Sequence, residues 1–156
     1  MRDTRDLGAL IGRILLALIF VLSGFAKITG FNGTASYMAM NGVPAVPVLL
    51  ILSIIIELGG GILLIVGFQA RWAALIIFLF LIPVTLMIHV HAYEVAMAHN
   101  QMPMAMMQRV NIMKNIAIEG GLLVLAAFGP GRFSIDGQAS ETPATSAFGP
   151  ELNRQA

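Results

Sequence analysis

Four long apolar runs, each broken by few polar positions, organise this chain: about 7–28, 47–68, 72–90 and 111–128. A bilayer core takes roughly 20 apolar residues of helix. The runs are continuous rather than alternating, and only closed barrels cross a membrane as strands. The pattern predicts an all-α, polytopic membrane four-helix bundle over residues 1–136. Two stretches echo one another: Ile56-Glu57-Leu58-Gly59-Gly60-Gly61 and Ile118-Glu119-Gly120-Gly121, each followed by an arginine, Arg71 or Arg132. Arg13, Ile19 and Phe20 share their spacing with Arg71, Ile77 and Phe78. The repetition predicts two tandem helical hairpins in one orientation, a parallel internal repeat.

The connections differ in kind. Gln69-Ala70-Arg71 is a tight turn. The segment Thr29–Val46 carries Gly30, Gly33, Gly42 and Pro44 around a short helix candidate near Ala35–Met40, and His91–Asn111 is rich in methionine and broken by Pro103. Both are expected to form short interfacial helices in the outer loops. Residues 137–156 turn to Gly, Ser, Thr, Pro and Gln and are expected to be a disordered cytoplasmic tail. Lys and Arg favour the side of Arg2, Arg5, Arg71, Arg132 and Arg154 over that of Lys27, Arg109 and Lys114, which predicts cytoplasmic N- and C-termini.

Composition agrees with a lipid-embedded chain. Of 156 residues, 58% are hydrophobic and 11% charged, against about 25% charged in soluble domains. A net charge of +1 gives no support for a nucleic-acid partner. The chain has no cysteine, which excludes disulfide exchange, thiolate zinc, c-type haem attachment and cysteine-held iron–sulfur clusters.

The residues match a known pattern. Arg13-Ile14-Leu15-Leu16 with Ser23-Gly24-Phe25-Ala26-Lys27-Ile28 resembles the first span of the DoxX family. Glu57-Leu58-Gly59-Gly60-Gly61 with Gly67 and Arg71, and Lys114-Asn115 through Gly129-Pro130-Gly131-Arg132-Phe133, extend the resemblance over roughly residues 10–136. It implies a small bundle in a bacterial inner membrane. Members of the family are linked to quinone-dependent oxidation and to larger respiratory-type or oxidative-stress complexes. The expectation is therefore an accessory membrane subunit of a quinone-linked oxidoreductase, with bound quinone and no covalent cofactor.

A charge at mid-bilayer costs about 2.5–3.5 kcal/mol, so Arg13, Glu57 and Glu119 must face one another, water or a ligand. Arg13 sits on the order of 9 Å inside its span, and Glu57 on the order of 15 Å from either end of its own. An Arg13–Glu57 ion pair is expected, with Glu119 near the same arginine. It is either a structural bridge or a proton-handling centre. The second constellation is His89, His91, Tyr93 and Glu94 at the outer end of the third span, where His89 is a further proton-handling candidate. Together with Arg13, Lys27 and Glu57 these are candidate quinone contacts, set against an interfacial anchoring cluster. Lys27 itself reads first as a snorkelling anchor. All three histidines lie between His89 and His99, so no opposed pair exists to ligate a haem. His99, Met102 and Met104 form a loose copper-type set, and a partner-binding or membrane-seated flap competes with it. The glycines, including Gly8 and Gly12, are expected to let helices approach closely.

Three classes of function compete: the quinone-linked subunit; a structural or assembly subunit docking a larger complex through the flaps Phe31–Val46 and Tyr93–Arg109; and a carrier using the Arg13, Glu57 and Glu119 core. A carrier of only four spans would require a homodimer.

Overall fold

The computed structural model describes residues 2–141. The described residues are all-helical, with α1 at Arg2–Thr29, α2 at Phe31–Met40, α3 at Val46–Val66, α4 at Ala70–Ala98, α5 at Met102–Phe128 and α6 at Ile135–Glu141. Helices α1, α3, α4 and α5 are long and apolar enough to cross a membrane.

Local chemistry sets the boundaries. Helices α3 and α5 each begin with a proline in the first turn, Pro47 and Pro103, where a missing N–H costs nothing. Helix α3 ends at Gly67, whose φ of +70° is the left-handed conformation of a C-cap. The start of α4 is capped across the molecule: the Asp136 carboxylate accepts from the backbone N–H groups of Gln69 and Ala70 at 2.9 and 3.0 Å.

Two helices widen mid-course into π turns, Ile55–Gly59 in α3 and Thr85–Val90 in α4. The second follows Pro83, which has no N–H and whose ring crowds the carbonyl one turn back, so the helix relaxes locally. The first leads directly into Gly59–Gly61, where helix propensity is weakest.

Helix α1 packs chiefly on α3, and α4 on α5, with α3 against α4 joining the two pairs. Ala17, Phe20, Leu64, Ile77, Leu81 and Leu122 form the central core. Apolar burial gives little net drive between helices in lipid, so close van der Waals contact must hold them. Gly24 and Gly61 provide it. A Cβ on Gly24 would lie 3.0 Å from the Leu58 backbone nitrogen, and one on Gly61 2.8 Å from Val21 Cγ2. Gly8 and Gly12 do not contribute, since nothing lies within 4 Å of a Cβ on either. They face outward on α1 and correct the expectation of a packing motif there.

Two further expectations are corrected. The segment after the third apolar run is not a separate cap. Helix α4 continues to Ala98 and α5 starts at Met102, because Ala, Met and Gln are good helix formers that extend both spans. Of the two outer segments, the first alone forms a separate short helix among the described residues, α2. At the C-terminus, residues 137–141 belong to α6, seated by the Asp136 N–H on the Gly67 carbonyl at 3.0 Å; the rest of the expected tail, 142–156, lies outside the described residues.

Candidate functional site

The site grows from the contact between α1 and α3. Gly24 brings the α3 backbone at Leu58 against α1, which puts the neighbouring Glu57 beside the polar face of the first span. Lys27 lies one turn beyond Gly24. Helical side chains lean toward the N-terminus of their own helix, so Lys27 folds back toward mid-membrane. Its Nζ donates to Ser23 Oγ at 2.7 Å and to both Glu57 oxygens, at 3.0 and 2.7 Å. Glu57 is 6% exposed and lies in the π turn of α3, a type of local widening frequent at functional sites.

This pair lines a cavity of about 510 Å³ bounded by α1, α2, α3 and α4. Its walls are largely apolar, with Met38, Val43, Leu49, Leu52, Phe80 and Met87 among them. Its polar groups are few: Ser23, Lys27, Thr34, Tyr37, Ser53, Glu57 and His89. Apolar walls with a few convergent polar groups are the usual construction of a small-molecule site. Ser53 spends its proton on the Leu50 carbonyl at 2.8 Å.

His89 enters from the π turn of α4, and α5 holds it in place. Its Nδ1 lies 2.9 Å from Gln108 Oε1, and Gln108 Nε2 donates to Tyr37 Oη of α2 at 3.2 Å. Gln108 is 2% exposed and bridges three helices. A second buried amide works nearby: Asn115 Nδ2 donates to Thr85 Oγ1 at 2.9 Å, joining α5 to the π turn of α4.

Of the candidates named from the sequence, Lys27, Glu57 and His89 come together. The expected Arg13–Glu57 ion pair does not form. Arg13 is 3% exposed, and its guanidinium donates to the carbonyls of Pro130 at 2.5 Å, Phe133 at 2.8 Å and Ile65 at 3.3 Å. Ile65 is eight residues from Glu57, about 12 Å along α3. The cause is the same backward lean that carries Lys27 to Glu57: it carries Arg13 away toward the start of α1. Glu119 is half-buried on α5 and makes no hydrogen bond or ion pair among the described residues, so the two acids do not share an arginine.

His91 and Glu94 are exposed and Tyr93 is half-buried, all beyond the cavity wall on α4. His99 places Nδ1 2.8 Å from the Val95 carbonyl, Met104 turns its sulfur to Gln108 Nε2 at 3.9 Å, and Met102 is exposed. Among the described residues no group of three His, Asp or Glu side chains could hold a metal ion.

Ser23, Tyr37, Ser53 and Gln108 are additions that the sequence did not single out as site residues. Ser23 was legible in principle, since it stands four residues before Lys27 on one helix face. Gln108 carried no such signal.

Comparison with known proteins agrees with the architecture. A family model described as DoxX matches residues 8–90, which include Lys27, Tyr37, Glu57 and His89. The inner membrane protein YqjF of Escherichia coli (strain K12) is 37% identical over 136 residues, covering 87% of this chain and 95% of that protein. The inner membrane protein YphA of the same organism is 36% identical over 130 residues, covering 81% and 86%. No solved structure shows significant similarity. Four apolar spans, the family model and two relatives matched over most of their length lead to one conclusion: this chain is an integral membrane protein of the DoxX family.

Proposed function

We propose that the cavity beneath α2 binds a quinone-type head group within a bacterial inner membrane, and that the chain is the membrane subunit of a quinone-linked oxidoreductase. One observation carries the reading: Lys27, Glu57 and His89, the few ionisable groups inside the spans at this level, converge on one apolar-walled cavity. A benzoquinone or naphthoquinone ring needs apolar faces and two polar termini, and the cavity supplies both. The Lys27–Glu57 pair and, from other helices, His89 and Tyr37 are among its polar lining groups. Redox centres would belong to partner subunits.

Purification in mild detergent, followed by solvent extraction and chromatography of bound lipids, tests the proposal. Quinone at near-stoichiometric amounts is expected. Its loss by about tenfold in Glu57→Gln and in His89→Phe would tie it to the cavity; equal retention in both variants would refute the assignment.

A second reading has its own observation. Met40, Met102 and Met106 are 82%, 53% and 69% exposed on helices at the Lys27 end of the bundle, and methionine suits adaptable contact surfaces. An assembly subunit would use that rim to dock a larger membrane complex. Native mass spectrometry separates the readings: a stoichiometric protein partner without quinone favours docking.

A further inference from the structure

The hydrogen bonds around His89 bear on which of its ring nitrogens carries the proton. Gln108 Oε1 can only accept, so His89 Nδ1 must carry the proton in their 2.9 Å contact. The amide is held in this sense from its other end. Its NH2 lies between the Tyr37 hydroxyl at 3.2 Å and the Met104 thioether at 3.9 Å, and a thioether can only accept. With Nδ1 protonated and the ring neutral, Nε2 keeps its lone pair. It is the one ring nitrogen left for the cavity that His89 lines.

The remaining polar inventory points the same way. The three N–H donors of Lys27 are engaged by Ser23 Oγ and the two Glu57 oxygens. The Ser53 proton is engaged by Leu50. What remains is Nε2 of His89, spare lone pairs of Glu57 and Ser53, and three rotatable hydroxyls, Ser23, Thr34 and Tyr37, each of which also accepts. Acceptors outnumber donors.

We infer that Gln108 is a positioning residue that fixes His89 as an Nδ1–H imidazole, so that the cavity prefers a head group bearing a hydroxyl, the hydroquinone, over its carbonyl form. This rests on the quinone reading above and names the redox state the site takes. A hydroquinone O–H donates to Nε2, while its oxygen still accepts from Tyr37. A quinone carbonyl set against Nε2 would oppose two lone pairs and leave a buried acceptor unmade.

The test uses the full chain in lipid nanodiscs under anaerobic conditions, titrated with decylubiquinol and decylubiquinone. The quinol is expected to bind about tenfold more tightly. Gln108→Leu, which has neither donor nor acceptor, should bring the ratio near one. A second readout does not depend on any Gln108 variant. In 15N-histidine-labelled protein, with His91→Gln and His99→Gln used for assignment, His89 should show a protonated Nδ1 and an unprotonated Nε2. A protonated Nε2, or equal affinity for the two forms, overturns the inference and leaves the quinone reading standing. Absence of binding by either form overturns both.

Discussion

Lys27 Nζ stands 2.7 Å from Glu57 Oε2, and this ion pair ties the first span to the middle of the second. Breaking a buried pair leaves an uncompensated charge and costs about 3–5 kcal/mol, whereas replacing both partners with apolar groups is often neutral. Lys27→Met alone is therefore expected to lower thermal stability in detergent sharply. The double variant Lys27→Met, Glu57→Leu should recover most of it while losing the bound ligand. A double variant that kept the ligand would reduce the pair to a structural bridge.

Gly24 controls the same geometry from the backbone. Any side chain there meets the Leu58 backbone at 3.0 Å, so Gly24→Leu should force α1 from α3, part Lys27 from Glu57 and cost about 1–3 kcal/mol. Gly8→Leu on the same helix has open space and should change stability by less than about 0.5 kcal/mol. Paired detergent melts of the two variants make the comparison.

Arg13 seals the opposite end of the bundle. Arg13→Lys keeps the charge but not the planar fork that reaches the Pro130, Phe133 and Ile65 carbonyls together. Each buried carbonyl left unpaired costs about 1–3 kcal/mol. Destabilisation is expected without loss of ligand affinity, measured by melting and by quinol titration side by side. A change in affinity would mean that the two ends of the bundle communicate.

Asp136 caps α4 through the Gln69 and Ala70 amides. Asp136→Ala should cost about 0.5–2 kcal/mol. It should also raise amide hydrogen exchange at the 69–73 turn, leaving the Lys27 end unaffected.

Much of this is legible in the sequence. The spans were readable because lipid leaves a chain few ways to satisfy its backbone. Glu57 and His89 stood out because ionisable groups inside a span need a reason. Depth along the spans alone pairs Arg13 with Glu57, and side-chain direction decides otherwise. Arg13 and Lys27 lean the same way along α1, which removes one from Glu57 and delivers the other. Gln108 stayed invisible because one amide in a methionine-rich stretch has no pattern, and its role depends on α2 folding back to bring Tyr37 within reach. In the outer segment after the third span, polar residues mask a helical sequence that continues both neighbouring spans.

The clamp on Arg13 also bears on how the chain is made. Its carbonyl partner at Pro130 lies 117 residues downstream, and chains emerge N-terminus first. While the later spans are still being synthesised, the first helix enters the bilayer with a cation whose native acceptors do not yet exist. Ile65 of the second span supplies one of them, and only when the turn after α5 closes back does that charge acquire the Pro130 and Phe133 carbonyls, so the topology is latched by a segment that appears after all four spans.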